Sequence, residues 1–115
     1  MWMDTEIVAL DTSSQTYYSP WFDKVADNAV FTMEKVLDTL NAGLTVRVFT
    51  KNREDEGSAP GSSAGTFTTL SGTMLEVACS GLKELVRFEL SFQASAVKQG
   101  VMFRFLPPTW YDTAV

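Results

Sequence analysis

Apolar and polar side chains alternate most regularly over Glu84-Leu85-Val86-Arg87-Phe88-Glu89-Leu90-Ser91-Phe92, where Val86, Phe88, Leu90 and Phe92 are separated by Arg87, Glu89 and Ser91. A period of two predicts a strand with one face in a core and the other in water. A helix would spread the same apolar groups around its circumference. Val86, Phe88, Leu90 and Phe92 are therefore expected to be buried, and Arg87 and Glu89 exposed.

The pattern repeats, less cleanly, along the rest of the chain. Glu6 to Leu10 reads as a short strand closed by the turn-forming Asp11-Thr12-Ser13-Ser14. Tyr17-Tyr18-Ser19-Pro20-Trp21-Phe22 gathers aromatics around a proline that cannot donate to a ladder, which confines it to an edge or corner. Ala29, Phe31 and Met33 share the apolar face of a strand running to Leu37, although Lys35 interrupts the pattern. Met33, Val36, Leu37 and Leu40 also fit a short helix, but the β-branched and aromatic start favours a strand. Asn41-Ala42-Gly43 supplies a turn, and Leu44 to Lys51 alternates again, so these two strands are expected to pair as an antiparallel hairpin. Asn52 to Gly65 is charged and then Gly/Ser-rich, and is expected to be a flexible loop. Strands follow over Thr66 to Leu70, over Thr73 to Cys79 with Thr73, Leu75, Val77 and Cys79 on one face, and over Val101 to Leu106. Pro107-Pro108 has no amide hydrogens to pair and is expected to send residues 107–115 away as a C-terminal arm.

About seven or eight short strands without a convincing helix predict an all-β fold, an antiparallel β-sandwich of jelly-roll or immunoglobulin-like type. A closed barrel is the alternative. At 115 residues, the chain is expected to be a single domain, 1–115.

Charge and chemistry narrow the function more by exclusion than by motif. The formal net charge of −5, with basic residues scattered, argues against nucleic acid as a partner. No apolar run is long enough to span a membrane as a helix, and Met1-Trp2-Met3-Asp4 lacks the basic start of a signal peptide, so a soluble, cytoplasmically made protein is expected. Cys79 is the only cysteine and is expected to be a buried thiol. There is no histidine, which removes Ser-His and Cys-His nucleophile pairs and most zinc sites.

Carboxylates remain. Glu76 and Glu89 could in principle form a glycosidase pair. The simpler expectation is that Glu34, Arg47, Glu76, Arg87, Glu89 and Arg104 make cross-strand pairs on solvated faces. Glu54-Asp55-Glu56 lacks the alternating spacing of a calcium loop. Gly57, Gly61 and Gly65 are not followed by the Lys-Ser or Lys-Thr of a phosphate loop. No catalytic residue, metal ligand or cofactor site is assigned, and the chain is not expected to be an enzyme. Trp21 with Phe22, or Trp110 with Tyr111, could form a sugar-stacking platform or a protein contact.

Tyr18-Ser19-Pro20-Trp21-Phe22, Leu44 to Asp55, Leu82 to Phe88, and Phe103-Arg104-Phe105-Leu106-Pro107-Pro108-Thr109-Trp110 resemble small β-sandwich virion proteins of tailed bacteriophages, which bind the capsid exterior as decoration or cement proteins. The resemblance implies a structural, non-enzymatic role that stabilises the shell. Its partners would be the major capsid protein or other virion subunits, with copies of the chain as homo-oligomer or lattice neighbours, and no nucleic acid or membrane. It places the protein on the virion exterior after synthesis in the host cytoplasm. The candidate partner-binding residues are Trp2, Met3, Trp21, Phe22, Trp110 and Tyr111. A carbohydrate-binding module that uses an aromatic platform is the alternative.

Overall fold

The computed structural model describes residues 4–9, 14–39, 44–55, 61–71, 73–93 and 99–112. Every described element is a strand: β1 (Asp4–Ala9), β2 (Gln15–Tyr18), β3 (Phe22–Asp23), β4 (Asn28–Thr39), β5 (Leu44–Lys51), β6 (Ser62–Thr66), β7 (Thr68–Ser71), β8 (Met74–Cys79), β9 (Leu85–Phe92), β10 (Gln99–Phe105) and β11 (Thr109–Tyr111). They form two antiparallel sheets packed face to face. Sheet A has the order β1-β10-β4-β8-β7, with β11 also on β4; sheet B has the order β2-β9-β5-β6, with β3 also on β9. The fold is a β-sandwich, and among the described residues no strand ladder joins the two sheets into a barrel.

The core lies between the sheets. Phe31 and Met33 from β4, Val77 and Cys79 from β8, and Val101, Phe103 and Phe105 from β10 meet Val46 and Val48 from β5 and Val86, Phe88, Leu90 and Phe92 from β9. Phe88 stacks on Phe105 with ring centroids 4.1 Å apart and takes the edge of Phe31 at 5.3 Å. Such ring pairs contribute about 0.5–1.5 kcal/mol beyond the area they bury. The alternation read in β9 thus sets the inner face of the central strand of sheet B.

β4 runs as one strand through Lys35. A β-bulge between Met102 and Phe103 of β10 sets Met102 opposite Leu37 and Phe103 opposite Lys35, leaving Val36 as the extra residue. A bulge resets which face each side chain points to, which is why the alternation falters there.

The hairpin expected between β4 and β5 does not form. β4 belongs to sheet A and β5 to sheet B, where β5 pairs with β9 and β6. Turn chemistry reverses the chain but does not choose the sheet, and both strands need the core on one face only. Residues 41–43 lie outside the described residues.

The expected loop over residues 52–65 is shorter than its composition suggests, because Ser62–Thr66 pairs with β5. A Cβ at Gly65 would lie 2.7 Å from Val77 Cγ2, so glycine lets this edge strand close down on β8. Residues 56–60 are outside the description. The chain then changes sheets at Phe67, whose N–H donates to the Val46 carbonyl at 2.8 Å and whose ring packs on Phe88 and Phe105.

Pro107-Pro108 does not launch a free arm. Leu106 N–H still donates to the Thr32 carbonyl at 2.9 Å, and Thr109 to Tyr111 pair with Val30 to Asn28 further along the same edge of β4. The prolines fall in a bulge, where their missing donors cost the ladder little.

Pro20 is accommodated similarly between β2 and β3, at the edge of sheet B. Ser19 N–H donates to the Phe88 carbonyl, and Phe88 N–H donates to Ser19 Oγ, both at 2.9 Å. The hydroxyl donates in turn to the Pro20 carbonyl at 3.1 Å. A side chain thereby stands in for a ladder acceptor across the proline break. Ser19→Ala is expected to leave a buried Phe88 N–H without a partner and to cost about 1–3 kcal/mol in chemical denaturation.

Candidate functional site

The outer face of β9 is not simply a wet face. In register across sheet B, Tyr18 of β2 stands opposite Glu89, and Glu89 opposite Arg47 of β5; one step along, Arg87 stands opposite Phe49. Glu89 is only 7% exposed, against the expectation of an exposed carboxylate. It accepts a hydrogen bond from Arg47 Nη1 at 3.0 Å and another from the Tyr18 hydroxyl. Buried charges persist when paired in this way. Burial first, then the hydrogen bond to Glu89 and its charge, raise the Tyr18 phenol above its usual range, while Arg87 acts in the opposite sense.

Arg87 is half-buried rather than free. Its guanidinium carbon lies 4.0 Å from the centroid of Tyr18 and 4.4 Å from that of Trp21, so the cation sits against both aromatic rings. Its Nε is buried without a hydrogen-bond partner, the one such side-chain atom among the described residues. Desolvation lowers the guanidinium below its ordinary value, opposed by Tyr18 and Glu89. Lys51 Nζ lies 5.0 Å from the Trp21 centroid. Gly61, at φ +94°, completes the setting: a Cβ there would lie 2.8 Å from the Thr50 carbonyl oxygen and 3.2 Å from Trp21 Cη2. Glycine is needed for the left-handed backbone and to admit the indole.

Of the residues singled out from the sequence, Trp21 belongs to this face. Phe22 turns inward against Phe31 and Phe88. Trp110 lies in sheet A with its ring edge-on to Phe31 at 5.5 Å, half-buried, while Tyr111 beside it is 44% exposed. Trp2 and Met3 lie outside the described residues. Tyr18, Arg47, Phe49, Lys51, Arg87 and Glu89 were not foreseen as one site. The available signal was the proline-broken aromatic segment, which had only to be paired with β9 to lay Tyr18 and Trp21 over its polar positions.

Several other ionisable residues among those described have local partners. Arg104 Nε meets Glu34 at 2.7 Å, directly across the β10/β4 ladder. Arg104–Glu34 is thus a cross-strand pair of the expected kind, Arg47–Glu89 is a cross-strand pair whose carboxylate is buried rather than solvated, and Arg87 faces Phe49 instead of an acid. Asp55 accepts from Asn52 N–H at 3.0 Å, closing a local turn, and Arg53 joins Asp23 to Glu84 at one end of the sandwich.

Cys79 is buried, and loss of water pushes its thiol up to about 11. An acid whose pKa is higher folded than unfolded keeps its proton longer in the native state. Its contribution to stability is complete below the unfolded value of 9.0 and disappears as pH rises through about 11. Over that interval stability should fall more steeply for the native sequence than for Cys79→Ala, as read from denaturation midpoints.

The decisive observation is an arginine set against Tyr18 and Trp21 on the outer face of sheet B. No protein-family model and no curated protein matches the chain. Its function must be argued from that face.

Proposed function

We propose that the protein is a non-enzymatic structural domain that docks onto a larger assembly through the outer face of sheet B, as a decoration protein on a capsid exterior. The Tyr18–Arg87–Trp21 arrangement carries this reading. Tyr, Trp and Arg are the residues most enriched among those that dominate protein–protein binding, and here ladder pairing and ring contacts hold them in place before any partner arrives. Pre-ordering reduces the entropy lost on docking, which suits a protein that must add to an already assembled shell. The virion setting comes from the sequence resemblance, and the absence of histidine from the chain supports a role without acid–base chemistry.

The same aromatics are less suited to stacking a sugar, because Arg87 already lies over a face of both rings. Electron microscopy of particles that co-purify with the chain tests the proposal. Density for the sandwich on the outer shell, with Trp21 and Arg87 toward the subunits beneath, is expected. Particles that lack the chain, or hold it with this face toward solvent, would overturn it.

A further inference from the structure

We infer that the outer face of sheet B takes an acidic, extended segment of a partner protein, whose carboxylates pair with Arg87 and Lys51; this rests on the docking reading above. The chain carries a net charge of −5, yet the charged groups in register on this face are Arg47, Lys51 and Arg87 with Glu89 and, in line with Lys51, Asp23. Arg47 pairs with Glu89 at 3.0 Å and Asp23 pairs with Arg53, leaving Arg87 and Lys51 as the two cations without an ion-pair partner.

Both of these cations lie against rings. Among the described residues, neither Arg87 nor Lys51 has a carboxylate at ion-pair distance, and the Arg87 guanidinium donates no hydrogen bond. Folding has already removed water from one side of the guanidinium, as its unpartnered Nε and lowered pKa show. An incoming carboxylate therefore meets a donor whose desolvation is partly complete, and planar guanidinium suits a two-pronged carboxylate contact. Acidic groups elsewhere on the chain are screened beyond about 8–10 Å in physiological salt, so the local surplus of positive charge governs what binds here. A long polyanion would extend past the patch onto acidic surface, which favours a short segment.

The test uses the full chain and capped peptides of alternating Glu and Ser or Gln and Ser, followed by NMR of the Trp21 indole and Arg87 Nε–H signals. The Glu peptide is expected to shift both signals, to weaken with added salt, and to lose about tenfold or more in affinity with Arg87→Gln, a change of about 1.4 kcal/mol. Arg87→Lys should retain part of that affinity, and melting curves of both variants verify folding. Equal binding of the two peptides, no binding of the Glu peptide, or affinity unchanged by Arg87→Gln in a folded variant would overturn the inference. Tighter binding of a uronic-acid oligosaccharide than of the Glu peptide would also overturn it, transferring the face to an acidic glycan. If the peptide fails while micrographs still place this face against the shell, the docking reading stands and only the chemistry of the partner is wrong.

Discussion

Phe88→Ala is expected to destabilise the domain by ~3–5 kcal/mol, the usual cost of emptying an aromatic core site. The ring is fully buried, stacks on Phe105 at 4.1 Å and touches Phe22, Phe31 and Phe67, so neighbours from both sheets would have to move to fill the space. Its backbone also forms the ladder with Ser19 that carries sheet B past Pro20. Urea titration of the two proteins measures the difference. A change below 1 kcal/mol would mean that the two sheets do not meet at this residue.

Deleting Trp110 to Val115 is expected to lower the stability of the free domain by ~2–4 kcal/mol, enough to reduce the melting temperature by roughly ten degrees. A detachable arm would leave the melting temperature unchanged. Here, however, Trp110 and Tyr111 pair with Ala29 and Asn28, and the indole closes the end of the core against Phe31. Trp110→Ala in the full chain separates the ring from the ladder: about half or more of the loss should remain if the indole provides most of the contact. A truncated protein that melts with the intact one would return this segment to the role of an arm.

The parts of the fold that could be read from the sequence were those fixed by local alternation. β9, β5 and β8 each show a period of two, and Val86, Phe88, Leu90 and Phe92, Val46 and Val48, and Val77 and Cys79 line the core. What could not be read depended on partners far along the chain. Glu89 looks solvated in its own strand and is buried only because β2, some seventy residues earlier, lays Tyr18 beside it. Ser62 to Gly65 looks like loop because it has little to bury; it is a strand because small residues suit the close approach to Val77. Asn41-Ala42-Gly43 announces a reversal, but whether the next strand joins the same sheet is decided by which neighbours β5 finds. Pro107-Pro108 forbids pairing at two positions, and only the register on β4 reveals that pairing resumes.

The candidate site follows the same logic. Trp21 was visible as an aromatic next to a proline, and Arg87 as a polar position in a strand. Their contact needed the β2/β9 and β3/β9 registers, which place Ser19 against Phe88 and bring the segment on either side of Pro20 over the outer face.

The central claim is that this face makes the functional contact. It is tested most directly by the occupancy of Trp21→Ala/Arg87→Gln on purified particles, compared by electron microscopy with the native chain at equal concentration. Trp21 and Arg87 lie outside the sandwich core, so the variant should fold, while hot-spot residues of this kind account for ~2–4 kcal/mol each and occupancy should collapse. Full decoration by the folded variant would contradict the account.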